Sequence, residues 1–451
     1  MIITLKKECV MEKKLSKYEP DEYVKVKHPE WSKNATIYQV NIRQFTKGGT
    51  FNSFEKHLDR IKSLGVDIIW LMPIHPVGIE ARKGSLGSSY SVRDYYDVNE
   101  EFGTHEDLKQ LVRKIHDKGM YVILDWVANH SSRDNTLTIT HPEWYSKDRK
   151  GHFTPTPWYD WDDIIEFDYG NAELRQYMTA ALKYWVDEFD IDGYRCDVAG
   201  FVPLDFWENA RAELEAIKPV FMLAEWESRD LLKKSFDMVY SWSLWDKMLL
   251  AVNTGKLSPL IEWMAHQTKA FPADGISMSF IENHDKNAWE GNQFDNFGSG
   301  LEAAIVMTVM VKGMPLIYGG QEAGLKRSLP FFEKDEIIWQ KHHIGELYKT
   351  LFHLKHVNHA LWNAHNGGEM VRINHNHEDK VIAFSREKDG HAIISMINFS
   401  KEKLTIKIKE KEYSGYYIDW FTKEEIDVKN LSQVVLQPWG YKIFSSIPKN
   451  A

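Results

Sequence analysis

Eight short apolar runs, each followed by a longer and mostly amphipathic stretch, constrain this chain more than any other feature. They lie at 37–43, 67–73, 121–126, 193–198, 220–224, 238–242, 276–281 and 315–318, and are rich in β-branched and aromatic residues. A strand buried on both faces reads in this way because it has no polar face to show. The stretches between them read as helices, among them 51–64, 105–118, 171–188, 205–217, 257–269 and 301–311. Within 105–118, Leu108, Leu111, Val112 and Ile115 recur at three- and four-residue steps, the stripe of a helix laid on a sheet. Eight such alternations predict an α/β fold, a (β/α)₈ TIM barrel. A doubly wound sheet would place a glycine-rich turn after its first strand. Here the first run ends in Arg43, Gln44, Phe45 and Thr46.

Two regions break the alternation. Residues 131–169 are polar, rich in Trp, Pro and Asp, and too long for an ordinary connection, so they read as a short subdomain leaving the third strand. Beyond Trp362 the pattern changes to short strands at 380–385, 391–398, 404–408, 416–419 and 441–444, which predicts an antiparallel β domain. The expected division is a tail over 1–30, a barrel over 31–364 and the β domain over 365–451.

The formal net charge of −9 and the lack of any Lys/Arg run argue against nucleic acid and other polyanions as partners. No apolar run approaches the ~20 residues of a membrane span, and the N-terminus carries no secretory apolar region, so a cytoplasmic location is expected. Cys9 and Cys196 show no metal-type spacing and are not expected to pair.

Catalytic residues of such barrels sit at the C-terminal ends of the strands. Those ends carry Asp125, Asn129 and His130 after the third run, Arg195 and Asp197 on the fourth, and Glu225 and Glu227 after the fifth. The seventh is followed by Glu282, Asn283, His284 and Asp285, and the eighth by Gln321 and Glu322. Charges beside apolar strands are costly unless paired or used. Paired carboxylates next to an Arg suggest glycoside hydrolysis, in which one attacks the anomeric carbon and a protonated one serves the leaving oxygen. Arg195 lies two residues before Asp197, on the same strand face, and can hold it ionised. Glu225 follows the apolar run Phe221–Ala224 and precedes Trp226, a setting that raises a carboxyl's pKa and suits a proton donor.

In order along the chain stand DWVANH (125–130), GYRCDVAG (193–200), MLAEWES (222–228) and FIENHD (280–285). With them go SSYSVRDYYDVNEEFGT (88–104), IIEFDYGN (164–171) and GMPLIYGGQE (313–322). By these motifs, from about residue 35 to about 364, the chain resembles the α-amylase superfamily, glycoside hydrolase family 13. The resemblance implies a retaining enzyme on α-1,4-glucosidic bonds of maltodextrin or starch, with Asp197 as nucleophile, Glu225 as acid/base and Asp285 as the third carboxylate. It also implies that Arg195 orients Asp197, that His130 and His284 bond the same sugar, that Tyr90 stacks on it, and that Asp125 supports Arg195.

One departure from the family pattern stands out. A Lys-His pair usual three and four residues after the nucleophile is replaced here by Gly200 and Phe201. DVAGFVP looks more like the cyclodextrinase and neopullulanase side of the superfamily. Phe201 and Trp226 are expected on the acceptor side, where they would favour a sugar over water. The alternative activity is therefore a 4-α-glucanotransferase or cyclodextrinase-like reaction on the same bonds. A non-catalytic, sugar-binding member would have lost a catalytic carboxylate, and all three are present. No cofactor is required on this reading, and Asn129 is the one residue that matches a family calcium ligand.

Overall fold

The computed structural model describes residues 18–19, 21–408, 415–427 and 433–446. Eight parallel strands close a barrel: β1 (Ile37–Val40), β2 (Ile68–Leu71), β3 (Tyr121–Trp126), β6 (Gly193–Cys196), β7 (Phe221–Ala224), β8 (Met238–Tyr240), β9 (Ile276–Phe280) and β10 (Met314–Tyr318). The two strands omitted from that series, β4 (His130–Ser132) and β5 (Ile164–Glu166), pair antiparallel with His130 opposite Glu166. They open and close the excursion that follows β3.

The crossovers are helical. They include α1 (Phe51–Glu55), α2 (Leu58–Ser63), α3 (His105–Asp117), α4 (Ala172–Phe189), α5 (Leu204–Glu215), α6 (Trp242–Thr254), α7 (Ser258–Ala270), α8 (Leu301–Met310) and α9 (His343–Val357). Helix α3 starts at a capping box in which Thr104 and Asp107 exchange side-chain bonds with each other's backbone N–H. It buries the four apolar residues that its sequence spacing predicts. The stretch expected as one helix over 51–64 is two, because the chain turns at Lys56 and His57 to bring the His57 ring edge-on to Phe45, 5.3 Å between centroids. The first strand is shorter than its apolar run. Residues Ile42–Phe45 coil into a buried helical turn, from which Arg43 reaches Glu101 and the Gly87 carbonyl. The sixth likewise ends at Tyr240, since Trp242 opens α6.

Strand alternation decides what each residue does. On β6, Tyr194 points outward and its hydroxyl donates to the Leu182 carbonyl of α4, while Arg195, beside Asp125 in the register, points inward. Glycines that tolerate no side chain open β6 and immediately precede β10. A β-carbon at Gly193 (φ 149°) would lie 1.9 Å from the Phe221 carbonyl oxygen, and one at Gly313 (φ 146°) 2.2 Å from that of Ser277.

After α9 the chain forms an antiparallel sheet from β11 (Val371–Arg372), β12 (Val381–Lys388), β13 (His391–Asn398), β15 (Tyr416–Asp419), β16 (Glu425–Asp427) and β18 (Tyr441–Ser446). A two-stranded sheet of β14 (Leu404–Ile406) and β17 (Val434–Leu436) completes it. Strands β11, β16 and β17 are too short to leave an alternating signature in the sequence. Arg386 of β12 is fully buried and donates to the Met310 and Val311 carbonyls at the end of α8, which ties the sheet to the barrel. Cys196 is a buried free thiol, and Cys9 lies outside the described residues. Among the described residues no helix is long and apolar enough to cross a membrane.

Candidate active site

The strand pairings run past the ends of the strands and set the candidate catalytic residues in place. Asp197 N–H donates to the Trp126 carbonyl at 2.9 Å, and Glu225 N–H to the Cys196 carbonyl at 3.0 Å. Both side chains thereby reach the C-terminal mouth of the barrel, at a cavity of 630 Å³. Six residues singled out in the sequence line it: Tyr90, His130, Asp197, Glu225, His284 and Asp285.

Arg195, fully buried below the cavity, is the hub. Its Nη1 donates to Asp125 at 2.7 Å and to Asp197 at 2.8 Å, its Nη2 lies 2.6 Å from Glu225, and its Nε donates to the Tyr240 hydroxyl at 3.3 Å. The Nη2–Glu225 approach is a close ion pair lacking hydrogen-bond alignment, whereas the contacts to Asp125 and Asp197 are aligned. The guanidinium also lies over Trp70 and Tyr90, 5.1 and 5.5 Å from their centroids. Asp125 is held on its other oxygen by Trp70 Nε1–H and the Tyr90 hydroxyl, each at 3.0 Å.

One guanidinium faces three buried carboxyls, Asp125, Asp197 and Glu225, with the partly exposed Asp285 beyond them, so they do not all ionise easily. Burial raises each of them and Arg195 opposes the rise. Asp125 is pushed up to about 6 and Asp197 to about 7, while Glu225 goes well above the usual range. Burial thus favours the protonated form of Glu225, whose approach to Arg195 is unaligned, whereas the aligned Arg195 bond favours the ionised form of Asp197. Glu225 also accepts a 2.8 Å bond from the Val198 N–H. Val198 has φ 35°, a left-handed backbone that costs a β-branched residue on the order of 1–3 kcal/mol. Strain beside Asp197 thus goes with aiming this N–H at the neighbouring carboxyl.

The two histidines are neutral, both through burial. That of His130 lowers its pKa to about 4, and His284 falls well below its ordinary value. Gln39 fixes the His284 tautomer. Its Oε1 accepts from the His284 backbone N–H at 3.3 Å, so its Nε2 donates to Nδ1 at 2.7 Å. The ring proton then sits on Nε2, facing the Tyr90 hydroxyl at 2.7 Å and Asp285 at 3.3 Å. The sugar contact expected of His284 would share a nitrogen that already has protein partners. The Tyr90 ring stacks on His284, 5.2 Å between centroids.

Phe201 and Trp226 are not among the residues lining this cavity. They pack edge to face at 5.1 Å beside a neighbouring groove. The Trp226 indole explains Gly200, because a β-carbon there would lie 2.3 Å from it. The place of a lysine is thus filled from the next strand. Asn129 stands behind the cavity, its amide donating to Thr156 Oγ1 at 2.8 Å and lying 3.1 Å from His130 Nδ1. It ties the excursion to the end of β3. Among the described residues the one grouping of three His, Cys, Asp or Glu side chains that could hold a metal is His141, Glu143 and Glu173, which does not include Asn129.

Other strand-end carboxylates brace loops. Glu282 accepts from Gln293 N–H and Asn287, Glu322 binds Tyr38 and Arg60, and Glu227 holds Ser243. Sequence reading missed Gln39, Trp70 and Tyr240. Gln39 was accessible in principle, as the lone polar residue in an otherwise apolar first strand. It also missed Trp161 and Phe331, which line the cavity from loops, and Trp289, which does so from the helical turn Lys286–Glu290, none of which left a periodic signal.

Comparison with known proteins agrees with this geometry. The family model for the alpha amylase catalytic domain matches residues 27–164 and 144–353. The structure of a noncanonic maltogenic alpha-amylase, AmyB from Thermotoga neapolitana, superposes with a TM-score of 0.83 at 33% identity, covering 92% of this chain and 99% of that one. Alpha-amylase 3 of Dictyoglomus thermophilum is 26% identical over 431 residues, 86% of this chain and 80% of that protein. Alpha-amylase MalA of Haloarcula japonica is 25% identical over 403 residues, 84% of this chain but 57% of that longer protein. A closed barrel with three carboxyls around one arginine at its mouth, matched over most of its length by this family, places the chain in the alpha-amylase family, as a retaining glycoside hydrolase of α-1,4-glucosidic bonds.

Proposed function

We propose that Asp197 is the nucleophile and Glu225 the general acid/base in the cleavage of maltodextrin-type α-glucans. The observation that carries this reading is the Arg195 guanidinium, aligned on Asp197 but not on Glu225, whose carboxyl burial pushes well above its ordinary range. In the first step an Asp197 oxygen attacks the anomeric carbon. The bond to the leaving oxygen breaks, and that oxygen takes the Glu225 proton. In the second step Glu225, now ionised, removes a proton from water, the water oxygen attacks the same carbon, and Asp197 is released. Two inversions give net retention. Asp285, 3.3 Å from His284 Nε2, is assigned to the hydroxyls of the reacting sugar, with His130 and His284 beside it and the Tyr90 ring against its apolar face.

Freshly formed product is expected to be the α-anomer. Proton NMR in the first minutes of maltoheptaose cleavage checks this, and β-anomer at that stage overturns the assignment of Asp197.

None of these steps calls for calcium, and the Asn129 amide is engaged with Thr156. Activity and melting temperature are expected to be insensitive to EDTA. An occupied structural site would stabilise the native state by mass action. A drop of several degrees in calorimetry on chelation, reversed by calcium but not magnesium, would make Asn129 a ligand. The cytoplasmic location belongs to the same proposal, and Cys196 as a free thiol accords with a reducing compartment.

A further inference from the structure

Gln39 of β1 is fully buried, beside Trp70 of β2 and Tyr318 of β10 in the sheet register. A buried amide costs stability unless its bonds are made, and here both of its ends are engaged by one residue. A backbone N–H can only donate, so the Gln39 oxygen faces the His284 N–H at 3.3 Å, and the Gln39 nitrogen donates to His284 Nδ1 at 2.7 Å. The His284 ring is neutral, since burial and the Arg195 charge both lower its pKa. It has one proton to place, and Gln39 leaves it only Nε2.

That choice propagates towards the nucleophile. His284 Nε2 lies 2.7 Å from the Tyr90 hydroxyl, whose oxygen accepts when the proton is on Nε2. The Tyr90 proton is then free for Asp125 Oδ2, 3.0 Å away. Asp125 Oδ1 accepts from Arg195 Nη1 at 2.7 Å, and the same Nη1 donates to Asp197 at 2.8 Å. From Gln39 to Asp125 every bond therefore points the same way. With the other tautomer, Nε2 would take the Tyr90 proton, and Asp125 Oδ2 would keep only the Trp70 N–H. An Asp125 short of one donor draws harder on Arg195, at the expense of Asp197. In a buried network each bond polarises the next, so a change at one end is felt at the other.

We propose that Gln39 is a positioning residue for the nucleophile: it sets the direction of the hydrogen bonds that run through His284 and Tyr90 to Asp125, and so keeps Arg195 shared between Asp125 and Asp197. This role deepens the assignment of Asp197 above and rests on it. Gln39→Glu makes the direction depend on pH. A protonated glutamic acid copies the amide, accepting from the His284 N–H with one oxygen and donating to Nδ1 with the other. If its proton passes to Nδ1, the ring carries two protons and still donates from Nε2. Loss of that one proton leaves a carboxylate that only accepts, so the remaining ring proton moves to Nδ1 and the chain reverses. The other titratable and charged groups around this pair are Tyr90, stacked on the ring, Asp285 at 3.3 Å from Nε2, Arg195, and Tyr318 beside Gln39 in the register. None of them replaces the donor to Nδ1.

Nitrogen-15 NMR of the His284 ring, identified by its loss in His284→Gln, should show the wild-type proton on Nε2 and a bare Nδ1. In Gln39→Glu, kcat on maltoheptaose should stay near the wild-type value at acid pH and fall about tenfold as pH rises, at a lower pH than the alkaline limb of the wild type. His284 Nε2 should lose its proton over the same range. Gln39→Met has neither bond and nothing to titrate, so it should lose kcat to a similar degree with no added limb. A wild-type proton on Nδ1 overturns the proposal, and that measurement needs no variant. So does full kcat in Gln39→Met. A Gln39→Glu profile parallel to that of the wild type, with the same loss at every pH, would mark Gln39 as structural only. Failure of the Asp197 assignment would look different: Asp197→Asn would stay active while His284 kept its proton on Nε2.

Discussion

Asp197→Asn is expected to lower kcat on maltodextrins by at least about 10⁴-fold while the protein stays folded. The substitution is nearly isosteric. Its amide oxygen can still accept from Arg195 Nη1, and what disappears is the oxygen able to form the glycosyl ester. Activated substrates should not restore the rate, since no leaving group replaces a missing nucleophile. Stability supplies an independent readout. Burial raises the Asp197 pKa from 3.8 to about 7 in the fold. A raised carboxyl favours the native state while it is protonated in both states, and that contribution is lost as pH rises from the ordinary carboxylate value through about 7. Asparagine does not titrate. Calorimetry at about pH 5 and about pH 8 should therefore show a smaller loss of melting temperature for Asp197→Asn than for the wild type. Wild-type-like turnover would end the assignment of the nucleophile, and an equal loss of melting temperature would show that Asp197 ionises in the fold without cost.

Glu225→Gln is expected to cost about 10²–10⁴-fold on maltodextrins, the range that a positioned general acid provides. The glutamine keeps the shape and can still accept from the Val198 N–H, but has no acidic proton for the leaving oxygen. α-Glucosyl fluoride should restore the first step, because fluoride departs with little protonation, and this rescue separates Glu225 from Asp197. The pH profile should change as well. Burial raises the Glu225 carboxyl well above its ordinary range, so the wild type should stay active through neutral pH and lose kcat/KM on the alkaline side as that proton is lost. In the glutamine variant acting on the fluoride, that alkaline limb should be absent. A variant that the fluoride fails to rescue would place the acid elsewhere.

The sequence by itself determined the barrel and which polar residues stand at the ends of its strands. Strands buried on both faces cannot hide their composition, so all eight runs overlap the observed strands and the residues at their ends could be read in order. Arg195 and Asp197 share a face by the two-residue period of a strand, and the structure adds the 2.8 Å bond between them. Gly200 and Phe201 were visible as a departure from a family pattern, but not the Trp226 indole that fills the space over Gly200.

What only the tertiary structure decided are contacts between residues far apart in the chain. Arg195 reaches Asp125 from 70 positions away, and Gln39 sets the tautomer of His284 across 245. The helical turn at Ile42–Phe45 replaces the end of an apolar run because its side chains find partners on other loops. Local pattern specifies which face of a strand or helix is buried. The pKa values and the tautomers arise from charges and rings brought together by barrel closure, which no window of sequence contains.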